Sequence, residues 1–463
     1  MNPDKLLSLV DRKMVVDLAT EMVNTASPTG EEGNMARLLQ RMLKEVGCNA
    51  QLQNIYDDRY NAIGRLTGSG HGPTILMSGH MDTSVRGDED YLVGKGWKNQ
   101  AVVESDRIWG NGITNMKNAF VAYIAGLHAL QKAGIKLNGD VIIAGTAGEI
   151  EMAPVDEFQG KHYHGYGMGL RFLLIHGVAA DYHFLGEPTG QVPSTGMMGT
   201  TWAKISVHGD FAHSAFQDST LSALDEMWVL WNELTGWIED YKKRNTYAGV
   251  VAGVNRACMR GGLPWRAART CNLAQLYVDI RFPPHRYPID VQREFTAAVQ
   301  KIAKEKLQRP IEVEYYISRP GTELPQDHPV MQAVVDAHHE TTGKAVPAMF
   351  CPPYCTDAID ANRLGIPTCV YGSGGTSRFD GPGIGDLRAK EGEFVLIDDM
   401  VNQAAVVMSA AMKLNDMQMA KIFASRAPLP GSIPALDQEL KAASKPDGGN
   451  GSRAAAMQAA KGA

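Results

Sequence analysis

The chain has 463 residues, of which 44% are hydrophobic and 21% are charged, and this composition is typical of a globular protein with enough apolar residues for two cores. The net charge of −6 gives no reason to expect nucleic-acid binding. The N-terminal segment is charged throughout and no run of 18 apolar residues occurs, so we expect a cytoplasmic protein without a signal peptide or membrane span. The six cysteines follow no metal-site spacing and are interpreted as free, buried thiols.

Up to about residue 193, short apolar strands alternate with amphipathic helices. Two helices in residues 4–46 come first, and strands are predicted in "TILMSGHMD", "DVIIAGTAGE" and "DYHFLGEPTG". A strongly periodic helix, "AFVAYIAGLHALQKAG", lies between the first two of these strands and ends at a glycine. Continuously apolar strands are typical of a parallel sheet that helices cover on both faces, so this part is predicted to be an α/β domain.

The pattern changes in residues 194–317. Amphipathic strands are predicted in "TWAKISVHGDFAHSA", "NLAQLYVDIRFPP" and "IEVEYYISR", with the long helices "TLSALDEMWVLWNELTGWIEDYKKRN" and "PIDVQREFTAAVQKIAKEKLQ" between them. The first pattern resumes over residues 318–425. We therefore predict an α/β domain with a mixed, mainly parallel sheet, formed by residues 1–193 and 318–425 and interrupted by a smaller α+β domain. Residues 426–463, rich in Ala, Gly, Pro and Ser, are predicted to be a disordered tail.

Polar residues follow three of the predicted strands. His80 and Asp82 end the first strand, Glu149 follows the second and Glu187 follows the third. Ligand sites in open α/β sheets gather at the carboxyl ends of the strands, and a metal-binding histidine usually gives its second ring nitrogen to a carboxylate. The sequence therefore indicates one cleft that holds all four residues. The alternative for each residue alone is a polar position on the surface rim.

Seven motifs occur in an order that resembles a known family. They are "SGHMDT", "WGNGITNMKNAFVAYIAGL", "TAGEIE", "GLRFLLIHGVAADYHFLGEPTG", "VHGDFAHSA", "LYVDIRFPP" and "YCTDAIDANRLGIPTCVYGSG". From its first helix to about residue 415, the chain resembles the aminoacylase, acetylornithine deacetylase, succinyl-diaminopimelate desuccinylase and carboxypeptidase G superfamily. The resemblance implies a catalytic α/β domain, an inserted lid that also forms a dimer interface, and amide hydrolysis with two zinc-type ions.

The resemblance also implies roles for five residues. His80 and Glu187 match the end ligands of the first metal site, and Asp82 matches the residue that orients His80. Glu149 matches the catalytic glutamate, which is the general base. His213, in "GDFAHSA", matches a lid histidine that stabilises the oxyanion, often from the partner subunit.

Three positions depart from the family pattern. The bridging carboxylate is replaced by Asn115, a neutral amide that holds one metal weakly and does not readily bridge two. The second-site glutamate is replaced by Ile150 and the second-site histidine by Ala389, and no histidine occurs after His339. The second metal site has thus lost all of its ligands.

The first metal site keeps only a weak set of ligands. We expect no tightly bound metal, and the alternative is a single Zn or Mn ion held by His80, Glu187 and Asn115.

Cationic residues are the candidates for replacing the lost metal. Arg388 lies beside the position of the lost histidine and is predicted to bind a substrate carboxylate or to stabilise negative charge. The alternative is a surface arginine on a loop. Arg281, in "VDIRFPP", and Asn115 are the other predicted substrate contacts, with a structural role in its strand as the alternative for Arg281. The "HYH" segment of His162 and His164 is interpreted as a solvated loop rather than a new ligand pair.

The position of the catalytic glutamate is kept while metal ligands are lost, so we favour altered chemistry over no chemistry. The predicted function is an enzyme that acts on the C–N bond of a small N-acyl or amino-acid-like amide, with Glu149 as general base and acid. The alternatives are a single-metal hydrolase, a metal-independent lyase or isomerase, and a non-catalytic binding protein. The predicted partners are a small-molecule substrate and a second copy of the chain bound through the lid, with no nucleic acid and no membrane.

Overall fold

The structure is a computed structural model, and it describes residues 6–70, 72–346, 351–374 and 391–426. The strands are, in chain order, β1 (Asn49–Tyr56), β2 (Arg59–Leu66), β3 (Ile75–His80), β4 (Val102–Val103), β5 (Arg107–Trp109), β6 (Val141–Thr146), β7 (Tyr182–Leu185), β8 (Gly196–Met197), β9 (Gly199–His208), β10 (Thr246–Tyr247), β11 (Val250–Val251), β12 (Val254–Gly261), β13 (Leu273–Phe282), β14 (Ile311–Arg319), β15 (Thr322–Glu323), β16 (Thr368–Val370) and β17 (Phe394–Leu396). The α-helices are α1 (Arg12–Asn24), α2 (Gly33–Glu45), α3 (Asn118–Lys132), α4 (Met168–Ile175), α5 (Ala223–Arg244), α6 (Pro288–Lys306), α7 (Pro329–Thr342), α8 (Ala358–Arg363), α9 (Ile397–Asn415) and α10 (Met419–Ser425).

The larger sheet contains six strands in the order β1-β2-β6-β3-β7-β16. Strands β6, β3, β7 and β16 pair in parallel, whereas β1 and β2 form an antiparallel hairpin at one edge. Every residue of β3 and β6 is buried, because helices cover both faces of the sheet. This mixed, mainly parallel sheet flanked by helices confirms the predicted fold class.

Helix α3 packs between the larger sheet and α9, and its side chains are buried on nearly every side. Where α3 meets α9, a Cβ atom on Gly126 would lie 2.6 Å from the carbonyl oxygen of Ala404. The missing side chain at Gly126 therefore lets the two helices approach closely. Because α3 begins three residues after Asn115, this contact also helps to set the position of Asn115.

The smaller sheet is antiparallel, with the strand order β12-β13-β9-β14. Helices α5 and α6 cover one of its faces and form a separate hydrophobic core. The other face carries Trp202 and Lys204, which contact Tyr166 and Asp156 of the larger domain. The inserted sheet thus faces the segment that follows β6, and we call the smaller domain the lid.

Local sequence patterns missed β1 and β12, one edge strand in each of the two main sheets, and the short strands β4, β5, β8, β10, β11, β15 and β17. In β1 and β12, the sequences "NAQLQNIY" and "VNRACMRG" are rich in polar residues because edge strands are only partly buried. The predicted domain boundaries stay a prediction, and the predicted tail lies outside the described residues except for Arg426. Within the described ranges, no helix combines the length and the apolar character that a bilayer-spanning helix needs.

Candidate active site

His80 is the last residue of β3 and is fully buried. Its Nδ1 atom lies 2.9 Å from the backbone carbonyl oxygen of Asp82 and 3.6 Å from the Asp82 carboxylate. Donation of the Nδ1 proton to this carbonyl leaves Nε2 as the atom that faces the cleft. The nearer acceptor for His80 is therefore the backbone of Asp82, whereas the sequence predicted its carboxylate.

The carboxylate of Asp82 holds the loop that follows β6. Its Oδ1 atom accepts the backbone N–H of Glu149 at 3.0 Å, and its Oδ2 atom accepts the backbone N–H of Ile150 at 3.1 Å. Oδ2 also accepts the hydroxyl of Thr29 at 2.8 Å. Because hydrogen bonds to a carboxylate are among the strong ones, Asp82 fixes the backbone from which Glu149 projects.

Asn115 lies in an irregular turn, Ile113–Lys117, that leads into α3. Its Oδ1 atom is 3.0 Å from Nε2 of His80. The buried Glu393 holds this turn, because its Oε2 atom accepts the backbone N–H groups of Thr114 at 2.9 Å and of Asn115 at 3.1 Å. Sequence reasoning missed Glu393, which follows Ala389, the position of the lost histidine, by four residues.

Two buried glutamates complete the cluster. Oε2 of Glu149, after β6, is 3.9 Å from Nε2 of His80, and Oε1 of Glu187, after β7, is 4.0 Å from it. One ligand atom from each of the three residues lies within 4.8 Å of the others. Among the described residues, the buried Oε1 of Glu187 has no hydrogen-bond partner. The structure thus brings His80, Asn115, Glu149 and Glu187 together, and their donor atoms fit one divalent ion.

Burial and charge repulsion dominate the electrostatics of this cluster. Burial, followed by the charge of Asp357, raises the pKa of Glu149 well above its ordinary value. Burial and the charge of Glu149 raise the pKa of Glu187 in the same way. Burial alone would lower the pKa of His80, but the charges of Glu187 and Asp82 outweigh it and raise that pKa. A bound cation or proton would relieve the repulsion.

The family resemblance implies three positions that hold a second metal ion. Among the described residues, Asn115 is the one at these positions whose side chain has a donor atom. Ile150 is buried, with 3% of its surface exposed, and its side chain carries no donor atom. Arg388 and Ala389 lie outside the described residues. The predicted role of Arg388 beside the cluster therefore stays a prediction.

Other predicted residues lie apart from the cluster. His213 is exposed on the lid, and Arg281, at the end of β13, pairs its Nε with Asp279 at 2.8 Å. His162 is exposed, and Nδ1 of His164 contacts the hydroxyl of Tyr56 at 2.9 Å. Within the described ranges, none of them joins the group of potential metal ligands.

Two buried residues that the sequence analysis assigned no role lie near the cluster. Oδ2 of Asp357 accepts the hydroxyl of Thr146 at 3.4 Å, and burial raises the pKa of Asp357 to about 6. Arg319, the last residue of β14, donates from Nη2 to Asp360 at 2.5 Å. The charges of Asp357 and Arg319 both act on Glu149. Tertiary contacts alone bring them to the site, so no local pattern in the sequence could identify them.

Comparison with known sequences identifies a family and its relatives. The model of the peptidase family M20/M25/M40 matches residues 76–413. A succinyl-diaminopimelate desuccinylase of Gluconobacter oxydans is 27% identical over 239 residues, which cover 48% of this chain and 56% of that protein. An acetylornithine deacetylase of Aliivibrio salmonicida is 26% identical over 368 residues, which cover 77% of this chain and 88% of that protein. The chain therefore spans little more than half the length of the first of these relatives.

Solved structures share the fold. A tripeptidase from Staphylococcus aureus superposes with a TM-score of 0.68 at 17% identity, and the match covers 88% of this chain and 100% of that one. At this level of identity, the likeness concerns the fold alone. It extends over both the larger sheet and the lid.

Proposed function

Because the chain belongs to the peptidase family M20/M25/M40 and is therefore a hydrolase, we propose that it hydrolyses an amide bond in a small N-acyl or amino-acid-like substrate. Glu149 is the general base and general acid of this reaction. The observation that carries the proposal is the buried Glu149 carboxylate, 3.9 Å from Nε2 of His80 at the carboxyl ends of the parallel strands. The relatives, a desuccinylase and a deacetylase by name, support removal of an acyl group from an amine.

Glu149 has the surroundings of a proton-transfer group. It is 7% exposed, and its backbone is held by Asp82. Burial raises its pKa, so the carboxylate accepts a proton from the attacking water more readily than an exposed glutamate would. Glu149 then donates this proton to the leaving nitrogen. His80 lies beside it, and with no ion bound its protonated ring would donate from Nε2 to the substrate carbonyl, since its pKa is raised.

Among the residues that the structure describes, the donor atoms fit one divalent ion and do not fit two. His80, Glu187 and Asn115 would hold one ion through an imidazole nitrogen, a carboxylate oxygen and an amide oxygen. Such an ion supplies Lewis acidity and a water of lowered pKa when it is bound. A second ion would need a donor at Ile150, whose side chain has none. The neutral amide adds no charge, so we propose that at most one ion is held, and only weakly.

We also propose a homodimer that forms through the lid. Leu224 and Trp228 lie one turn apart on α5 and are 40% and 60% exposed. Within the part of the chain that the structure describes, β12 leaves one edge of its sheet unpaired. Exposed apolar side chains beside an open edge strand favour association with another chain. His213 is exposed, and its neighbour Ser214 is one of the residues that line a groove of about 1280 Å³. In a dimer, His213 would act in the cleft of the partner subunit, as the family resemblance implies.

Turnover of N-acetyl amino acids tests the proposed reaction. Glu149→Gln should lower kcat by about a hundredfold or more, because a positioned general base contributes about that factor. Glu151→Gln is the control, since Glu151 is an exposed neighbour on the same loop. Full turnover in Glu149→Gln would exclude the proton-transfer role. Binding without turnover would favour a binding protein, and an elimination product would favour a lyase.

Metal analysis of the purified protein tests the ion site separately. We expect at most one equivalent of Zn or Mn per chain, lost on dialysis against a chelator. Two tightly held equivalents would contradict the argument from Asn115 and Ile150.

A further inference from the structure

A buried lysine ends the turn that carries Asn115. Lys117 lies two residues after Asn115, and its side chain is fully buried. Its Nζ atom donates to the carbonyl oxygen of Met22 at 3.0 Å and to that of Thr25 at 2.9 Å. A lysine is almost never fully buried unless its ammonium group is paired. Lys117 therefore joins the Asn115 turn to the C-terminal end of α1.

The C-terminal end of α1 requires hydrogen-bond donors. The last four carbonyl groups of a helix have no partner within the helix, and a positive charge is favoured beside them. The last turn of α1 contains no basic residue of its own, so Lys117 supplies donors from a distant part of the chain. Gly112 leaves space for this side chain, because a Cβ atom there would lie 3.3 Å from Cε of Lys117 and 2.5 Å from Cγ2 of Thr83.

Residues 25–29, which follow α1, also contact the loop after His80. Three hydrogen bonds join the two segments: from the Ser27 hydroxyl to the Met81 carbonyl oxygen at 2.7 Å, from the Thr83 N–H to the Ser27 carbonyl oxygen at 3.0 Å, and from the Thr29 hydroxyl to Oδ2 of Asp82 at 2.8 Å. Ser27 is fully buried, so water does not compete for these groups. Residues 25–29 are therefore fixed against the loop that orients His80.

These contacts connect two residues of the cluster by a second path. Oδ1 of Asn115 lies 3.0 Å from Nε2 of His80, and Nδ1 of His80 lies 2.9 Å from the carbonyl oxygen of Asp82. The loop of Asp82 is held by residues 25–29, and Lys117 reaches the same segment from the Asn115 turn. A shift of residues 25–29 would therefore change the position of His80 and Asn115 relative to each other.

We propose that Lys117 is a positioning residue that fixes Asn115 relative to His80 through residues 25–29. This inference deepens the proposed function, on which its kinetic test rests, because it names what holds two groups of the cluster at their distance. Lys117 acts through backbone carbonyl groups and is not a catalytic residue. Such a link matters for the reaction, since a displacement of about 1 Å can slow catalysis about a hundredfold.

Amide hydrogen exchange of the full chain, measured by mass spectrometry, tests this link without any turnover. Lys117→Met removes the ammonium group and keeps a side chain of similar length. We expect exchange to become about tenfold faster in residues 25–29 and 111–117, because both segments open more readily once these hydrogen bonds are lost. Exchange in β9 of the lid should stay at the wild-type rate. Wild-type exchange in residues 111–117, or equal acceleration throughout the chain, would overturn the proposal.

Ser27→Ala tests the same link from its other end. Ser27 donates to Met81 and not to the Asn115 turn, so an effect on that turn must pass through residues 25–29 and Lys117. We expect faster exchange in residues 111–117 of this variant as well. Thermal unfolding reports whether each variant is folded. If Lys117→Met fails to fold, Ser27→Ala decides the test, and wild-type exchange in residues 111–117 would then overturn the proposal.

Asn415→Ala is the matched control. The buried side chain of Asn415 accepts the backbone N–H of Gly139 at 3.3 Å, just before β6 begins, at the end of the sheet opposite to His80. Its loss should destabilise the protein without reaching the cluster, so exchange in residues 25–29 and 111–117 should stay at the wild-type rate. The same acceleration there as in Lys117→Met would overturn the proposal.

Turnover of N-acetyl amino acids separates this inference from the proposed function. Lys117→Met should lower kcat about tenfold or more and change KM by less than about threefold, because misplaced catalytic groups slow the chemical step rather than substrate binding. Asn415→Ala should keep the wild-type kcat and KM. A wild-type kcat in Lys117→Met would overturn the positioning role and leave the proposed function in place. A wild-type protein without turnover would contradict the proposed function, and the exchange rates alone would then decide the link.

Discussion

The amide oxygen of Asn115 lies 3.0 Å from Nε2 of His80, at the place where the family resemblance implies a bridging carboxylate. Two backbone hydrogen bonds to Glu393 hold the turn around Asn115. The side chain is thus placed as a ligand would be, but it carries no charge. The geometry thus keeps the position of a ligand, and we expect the neutral amide to bind a cation more weakly than a carboxylate would.

Asn115→Asp should raise the affinity for a divalent ion, because it adds a negative charge without changing the size of the side chain. We expect at least a tenfold tighter Kd for Zn or Mn, measured by calorimetry. Without a cation, the new carboxylate repels Glu149 and Glu187, so the metal-free variant should unfold at a lower temperature than wild type. Asn34→Asp is the control because Asn34 is exposed. An equal gain in metal affinity in both variants would contradict a specific effect at the cluster.

Because of His183, we expect the free energy of unfolding to fall in mild acid. His183 is fully buried between the hydroxyl of Ser78 at 2.7 Å and that of Thr368 at 3.0 Å. Burial lowers its pKa from 6.5 to about 3. The unfolded chain therefore takes up the proton first, so this stability is fully present above pH 6.5 and is lost as the pH falls toward 3, by up to about 1.4 kcal/mol per pH unit.

Urea unfolding between pH 7 and pH 5 measures this effect. His183→Gln should show a flatter dependence of the free energy of unfolding on pH than wild type. His208→Gln, at an exposed position on the lid, is the control. If His183→Gln kept the full wild-type slope, another group would be responsible for the acid sensitivity.

Arg59→Met should destabilise the protein by about 3–5 kcal/mol, because it leaves the carboxylate of Glu32 buried without its partner. Both side chains are fully buried, and Arg59 donates to Glu32 from Nε at 2.9 Å and from Nη2 at 2.5 Å. The double variant with Glu32→Gln should recover part of the loss. Arg37→Met breaks the exposed pair with Asp58 and should cost less than about 1 kcal/mol. Chemical denaturation that gave the same loss for both arginines would refute the argument from burial.

Gly126→Ala should destabilise the packing of α3 against α9. The added methyl group would lie 2.6 Å from the carbonyl oxygen of Ala404, and we expect a cost of about 1–3 kcal/mol. Gly236→Ala is the matched control, since it lies within α5 and its Cβ would meet nothing within 4 Å. This control should stabilise the protein by about 0.5–1 kcal/mol. Calorimetric melting temperatures that moved in the same direction would argue against the packing explanation.

Much of the fold was predictable from local pattern. The apolar runs of β3 and β6 and of α3 identify those elements, because burial on nearly every side leaves an almost unbroken apolar segment in the sequence. The edge strands β1 and β12 escaped prediction, since partial burial weakens that signal. Candidate residues were predictable when they end a buried strand, as His80 does, or come shortly after one, as Glu149 and Glu187 do.

The sequence by itself determined which chemical groups are available: an imidazole, two glutamates, and an amide and an isoleucine at positions where the family resemblance implies metal ligands. Only the tertiary structure decided that Asp82 holds the Glu149 loop and that Glu393 holds the Asn115 turn. It also paired Arg281 of β13 and Arg319 of β14 with the same residue of β9, Thr200. Strand register joins residues that are distant in the chain. Local periodicity carries no information about that pairing, so a sequence alone names the reactive groups but not the neighbours that orient and charge them.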